Sequence, residues 1–94
     1  MLEQLIGKTF YVTRYALSKG ILKVSVKRIF QGKSIIVNIS DEMYAVVMNP
    51  KTDGSTSLDE AISMAERMKQ RKIKSLQQQI NRLEQLNFTE VHND

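Results

Sequence analysis

The stretch that most constrains this chain runs from Ser57 to Leu86, where neither Gly nor Pro occurs. Ser57-Leu58-Asp59-Glu60 has the form of a capping box, and Asp59 and Glu60 put negative charge where a helix dipole favours it. The pattern predicts one helix over residues 58–86. At 1.5 Å per residue it would be roughly 43 Å long, whereas a compact domain of about 100 residues has a radius of gyration of about 13 Å. Ninety-four residues make one domain with a modest core, so part of such a helix must find a partner elsewhere.

Everything upstream reads as strand. Residues 8–17 are rich in aromatic and β-branched side chains, and the alternation puts Phe10, Val12, Arg14 and Ala16 on one face. Ser18-Lys19-Gly20 fits a hairpin loop with Gly at positive φ. Residues 21–30 alternate, with Leu22, Val24 and Val26 inward and Lys23, Ser25 and Lys27 outward. Gln31-Gly32-Lys33 makes a second turn, residues 34–40 a third strand facing inward through Ile35, Val37 and Ile39, and residues 43–48 a fourth after an Asp41-Glu42 turn. Phe10 and Phe30 read as core. Leu2, Leu5 and Ile6 suggest one helical turn ending at Gly7, and residues 49–56 are turn chemistry throughout, a linker. Every link between strands is too short for a parallel crossover. The expected fold is therefore α+β: a four-stranded antiparallel β-meander, then one long C-terminal α-helix with a short coiled-coil-like end. In segments, residues 1–56 are sheet and linker, and residues 57–94 are helix and a frayed tail.

On a helical projection Leu58, Ala61, Ile62, Ala65, Ile73, Leu76, Ile80 and Leu83 share one broad stripe, interrupted by Lys69 and Lys72. The first part of the helix, about residues 58–68, would lie across the inner face of the meander. In the second part, Ile73, Leu76, Ile80 and Leu83 at 3-4-3 spacing resemble two heptads of coiled coil and mark an oligomer interface.

Charge is unevenly placed. The net charge is +4, yet residues 4–40 hold seven bases and residues 67–83 hold six, with no acid in either zone. Such zones suit an anionic partner. Arg14, Tyr15 and Lys19 around the first hairpin offer cations beside an aromatic face. Lys69 and Lys72, set in an apolar stripe, must snorkel or meet an anion, so these five form the candidate ligand site. Arg67, Arg71, Lys74 and Arg82 fall within about 80° of one another opposite the apolar stripe, an alternative surface for DNA or RNA.

Catalytic and metal signatures are absent from the sequence. With no Cys there is no disulfide, thiolate nucleophile or zinc knuckle. Gly7-Lys8-Thr9 and Gly32-Lys33-Ser34 end like a phosphate-binding loop, but both lack the earlier Gly and lead into strands. His92 is the single imidazole and lies in the expected tail, and Asp41 and Glu42 are adjacent in a turn and diverge. The expectation is a protein that is not an enzyme, needs no cofactor or metal, and, with neither a signal-peptide pattern nor an apolar run of membrane length, is soluble and intracellular without membrane contact.

The run Val12-Thr13-Arg14-Tyr15-Ala16-Leu17-Ser18-Lys19-Gly20-Ile21, followed by Val24 and Val26 and by Ala61, Ala65-Glu66, Met68, Lys72-Ile73, Ser75-Leu76, Ile80, Leu83-Glu84 and Phe88, resembles a group of small proteins encoded by bacteriophages and other mobile elements. Members often carry aromatic and histidine residues between sheet and helix, which residues 49–56 lack. The overall plan is also similar to phage counter-defence sponges, which sequester nucleotide second messengers. These resemblances imply a homo-oligomeric counter-defence protein in the cytoplasm of a bacterial host cell, capturing an anionic nucleotide-like ligand. A DNA- or RNA-binding regulator and an inhibitor of a host defence enzyme are the alternatives.

Overall fold

The computed structural model describes residues 2–39, 45–89 and 91. A 3-10 turn, Leu2–Leu5, leads into β1 (Thr9–Val12), a one-turn helix α1 (Ala16–Lys19), β2 (Leu22–Phe30), β3 (Ser34–Asn38), β4 (Ala45–Met48), β5 (Gly54–Ser55) and the long helix α2 (Leu58–Glu84). The strands form one antiparallel sheet in the order β4-β3-β2-β1-β5. The class is α+β, as expected, with five strands where the sequence suggests four. The expected Asp41-Glu42 turn, Ser40, the first two residues of the expected fourth strand and His92 lie outside the described residues.

β2 is the spine of the sheet. Its first half pairs with β1, from Val12↔Leu22 to Thr9↔Ser25, and its second half pairs with β3, from Val26↔Val37 to Phe30↔Ser34. Between the halves the register slips at Lys27, a β-bulge that bends the strand and adds twist. The sheet curls there. Phe10 and Val12 of β1 consequently meet Val26 and, from β3 and β4, Ile35, Val37 and Met48 in one buried cluster that Ile39 completes. Each such side chain contributes roughly 1.5–3 kcal/mol through removal from water.

The bulge also corrects the reading of Phe30. Uninterrupted alternation sends Arg28 and Phe30 inward with Val26. The extra residue instead leaves Lys27 and Arg28 both exposed, brings Ile29 against the core, and leaves Phe30 41% exposed.

β1 is shorter than expected because the backbone N–H groups of Thr13 and Arg14 both donate to the carbonyl of Asp53, at 2.9 and 3.3 Å, and draw the chain out of the β2 ladder. Arg14 and Ala16 therefore do not continue the inward face of Phe10 and Val12. Ala16-Leu17-Ser18-Lys19 makes a helical turn in place of the expected hairpin loop, closed by Gly20 at φ 78°. Ala, Leu and Lys favour helix, and Gly at the residue beyond stops it.

Residues 49–56 are no linker. Asn49 and Asp53 staple a tight loop: the Asn49 N–H donates to the Asp53 carboxylate at 2.8 Å, and the Asp53 N–H returns to the Asn49 carbonyl at 2.9 Å. Gly54 and Ser55 then pair with Val12 and Tyr11 as β5.

α2 starts as its capping box dictates, with the Ser57 hydroxyl accepting the Glu60 N–H. It does not lie across the inner face of the sheet, because curling fills that space with β3 and β4. It packs sideways on β5, α1 and β1 through Ala61, which is wholly buried, and through half-buried Met64, Ala65 and Met68. From Lys69 to the end of the helix every residue is exposed. The molecule measures 62 × 31 × 25 Å, with a radius of gyration of 19.4 Å. No described helix is long and apolar enough to cross a membrane.

A Cβ placed on Gly54 would overlap the Tyr11 carbonyl oxygen and come within 2.7 and 2.9 Å of the Phe10 ring. Gly54→Ala is expected to cost about 1–3 kcal/mol by overpacking. Urea unfolding measures it, and an unchanged midpoint would show that β5 is not seated against Phe10.

Candidate functional site

Where β1 ends, Arg14 turns its side chain onto the loop after β4. Its Nη2 donates to the Asp53 carboxylate at 2.6 Å and to the Val47 carbonyl at 3.3 Å. β4 and β5 are the two edges of the sheet, so these contacts, with the Asp53 backbone bonds, clasp one edge to the other. The hydrogen bond to Asp53 raises the Arg14 pKa above its ordinary value, burial works against this, and the guanidinium stays charged at any physiological pH.

Beside the clasp a cleft of about 430 Å³ opens between loop and helix. One wall is Thr13, Arg14, Thr52 and Asp53; the other is Met64, Arg67, Met68 and Arg71, which share one face of α2 by their three- and four-residue spacing. The Arg14 charge is answered by Asp53. Arg67 and Arg71 have no salt-bridge partner among the described residues, so the cleft carries two uncompensated guanidinium groups. At its sheet-side wall Thr13 is fully buried, and its hydroxyl has no hydrogen-bond partner among the described residues. An unsatisfied buried hydroxyl costs about 1–3 kcal/mol, and because it is closed to solvent it marks a strained wall of the cleft and not a donor that faces into it. Two forked donors and flanking thioethers suit a phosphate attached to an apolar ring.

The structure redistributes the residues singled out in the sequence. Arg14, Arg67 and Arg71, assigned to two separate surfaces, share this cleft. Lys74 and Arg82 are exposed further along α2, outside its lining. Lys69 is turned to Glu66, 2.8 Å away, and neither it nor Lys72 lines the cleft. Tyr15 packs on the core, with the Lys19 ammonium 5.6 Å from its ring centroid, so these two serve each other. Ile73, Leu76, Ile80 and Leu83 stand 40–65% exposed on the free length of α2. Thr13, Asp53, Met64 and Met68 were not foreseen as site residues. Asp53-Gly54 reads from sequence as turn chemistry, and nothing marks Thr13 as buried.

A second depression, about 590 Å³, lies between the N-terminal 3-10 turn and the loops at Gly32 and Pro50. Leu2, Leu5, Lys33 and Lys51 line it, and among the described residues it has neither paired guanidiniums nor an unpartnered buried polar group. The cleft at Arg67 is the better chemical site despite its smaller volume.

Replacing Asp53 with Asn weakens the acceptor shared by Arg14 and the Asn49 N–H. Since the Arg14 side chain is 37% exposed, solvent screening limits the loss, and Asp53→Asn is expected to cost about 1–2 kcal/mol. A double-mutant cycle with Arg14→Ala, read by urea unfolding, should give a coupling of about 0.5–1 kcal/mol. Zero coupling would remove the clasp as a stabilising contact.

No family model matches this sequence, and no curated protein and no solved structure is detectably similar to it.

Proposed function

We propose that this chain is a non-catalytic, homo-oligomeric binding protein of the bacteriophage type, acting in counter-defence by capturing an anionic, nucleotide-like ligand. The observation that carries this reading is the cleft between loop and helix, where Arg67 and Arg71 lack carboxylate partners among the described residues. Phosphate oxygens supply what the two guanidinium groups need, and Met64 and Met68 offer an adaptable apolar seat for a base. The phage context and the counter-defence role rest on the resemblance of the segment around Arg14 to Ile21 and of the helix, together with the sponge-like plan.

A fluorescent nucleoside diphosphate titrated into the full chain tests the ligand. Arg67→Ala with Arg71→Ala is expected to weaken binding by about 100-fold or more, each lost charge-assisted hydrogen bond being worth roughly 1.5–3 kcal/mol. Lys69→Ala with Lys72→Ala should leave affinity within about threefold, because neither residue lines the cleft. Equal losses in both pairs would return the site to the other face of the helix.

One observation favours a second reading, that of a DNA- or RNA-binding regulator: Lys74 and Arg82 extend the basic face beyond the cleft over an acid-free run. On that reading a labelled duplex should lose affinity by about 10³-fold or more between 50 and 200 mM salt, as six or more phosphate contacts require. A shallow salt response with retained nucleotide binding favours the cleft.

A further inference from the structure

With Ile73 and Ile80 at a positions, Leu76 and Leu83 fall at d, and counting back places Glu66 at a and Ile62 and Lys69 at d. The seam thus covers three heptads, not the two apparent from the apolar residues alone. Its five apolar members are between 40% and 65% exposed. The face that meets the sheet, centred on Ala61 and Met68, lies roughly a quarter-turn away, and Arg67 and Arg71 lie on nearly the opposite side. Neither the sheet nor the cleft obstructs the seam.

We infer that the occupant of this seam is a second copy of the same chain, lying parallel and in register, so that residues 62–83 form a two-stranded coiled coil. Isoleucine at a with leucine at d is the combination that favours two parallel strands. The polar layers argue for register. In the single chain Lys69 Nζ meets Glu66 Oε2 at 2.8 Å as an exposed pair three residues apart. In a parallel dimer a d side chain packs against the partner's neighbouring a residues, so each Lys69 ammonium also reaches the partner's Glu66 carboxylate. Glu66 and Lys69 occupy successive a and d layers in which each faces its own counterpart, and these cross-layer Lys69–Glu66 contacts make the two layers together neutral. An antiparallel pair with the same leucines and isoleucines opposed would set Glu66 and Lys69 against residues near 87–90, beyond the helix end at Glu84. That arrangement leaves both layers unanswered. The flanks agree with the parallel form: Lys72 at g faces Gln77 at e, and Gln79 faces Glu84, with no like charges opposed. The dimer places both basic clefts at the same end, opening away from the coil.

This inference deepens the oligomeric part of the proposed function and is independent of the ligand. The chain has no Cys, so one introduced thiol reports one contact. Sedimentation equilibrium of the full chain should give a dimer, and oxidation of Leu83→Cys should join nearly all chains in pairs, because d residues meet their own counterparts in a parallel coil. Gln78→Cys, at the outward f position, should remain unjoined. Ile80→Lys should raise the dissociation constant by about 100-fold or more while the circular dichroism of the folded chain persists. A wild-type monomer, a higher oligomer, or a dimer whose Leu83→Cys chains fail to join would each overturn the inference. A monomer that still binds the nucleotide would sink the coil alone, and a joined dimer that binds none would sink the ligand reading alone.

Discussion

Arg14 and Asp53 together hold what would otherwise be a sheet with two loose edges. The Asp53 carbonyl takes the N–H groups of Thr13 and Arg14, and its carboxylate takes the Arg14 guanidinium and the Asn49 N–H. One residue therefore ends β1, shapes the loop after β4 and positions β5. An edge strand left open is a template for unwanted pairing, and here the edges are bridged instead of blunted. Both side-chain bonds leave one guanidinium nitrogen, Nη2, whose two N–H groups serve a carboxylate and a carbonyl at once.

The clasp matters because the sheet is strongly curled, and the curl comes from β2. A nine-residue strand can serve two partners if it bends between them, and the extra residue at Lys27 supplies the bend. Once curled, the sheet encloses its own core from both sides. The helix is then not needed as a lid, which is why it sits at the margin and touches the sheet mainly around Ala61.

These facts explain how far sequence reasoning reached. Period-two alternation in β2 and β3 is set by burial, so Val26, Ile35, Val37 and Ile39 were identified as core and are buried. The capping box at Ser57 is local chemistry, and the start of α2 followed from it. Phe30, the length of β1 and the strand within residues 49–56 were misread because a bulge, a long-range carbonyl and a two-residue edge strand leave no periodic trace. The site divided in the same way. Arg67 and Arg71 were visible as a helical stripe. Their meeting with Arg14 and the buried Thr13 hydroxyl depends on contacts some 40 to 60 positions apart in the chain, which no spacing rule reports.

The seating of α2 through its first turns alone, Ala61 to Met68, has a mechanical consequence. From Ala61 to the end of the helix is about 35 Å, so a tilt of about 5° at that point displaces the far end by about 3 Å. The same tilt alters the gap between Met64 or Arg67 and the Asp53 loop, since those residues lie one and two turns from the pivot. Whatever grips the distal half of the helix therefore acts as the long arm of a lever whose short arm sets the width of the cleft.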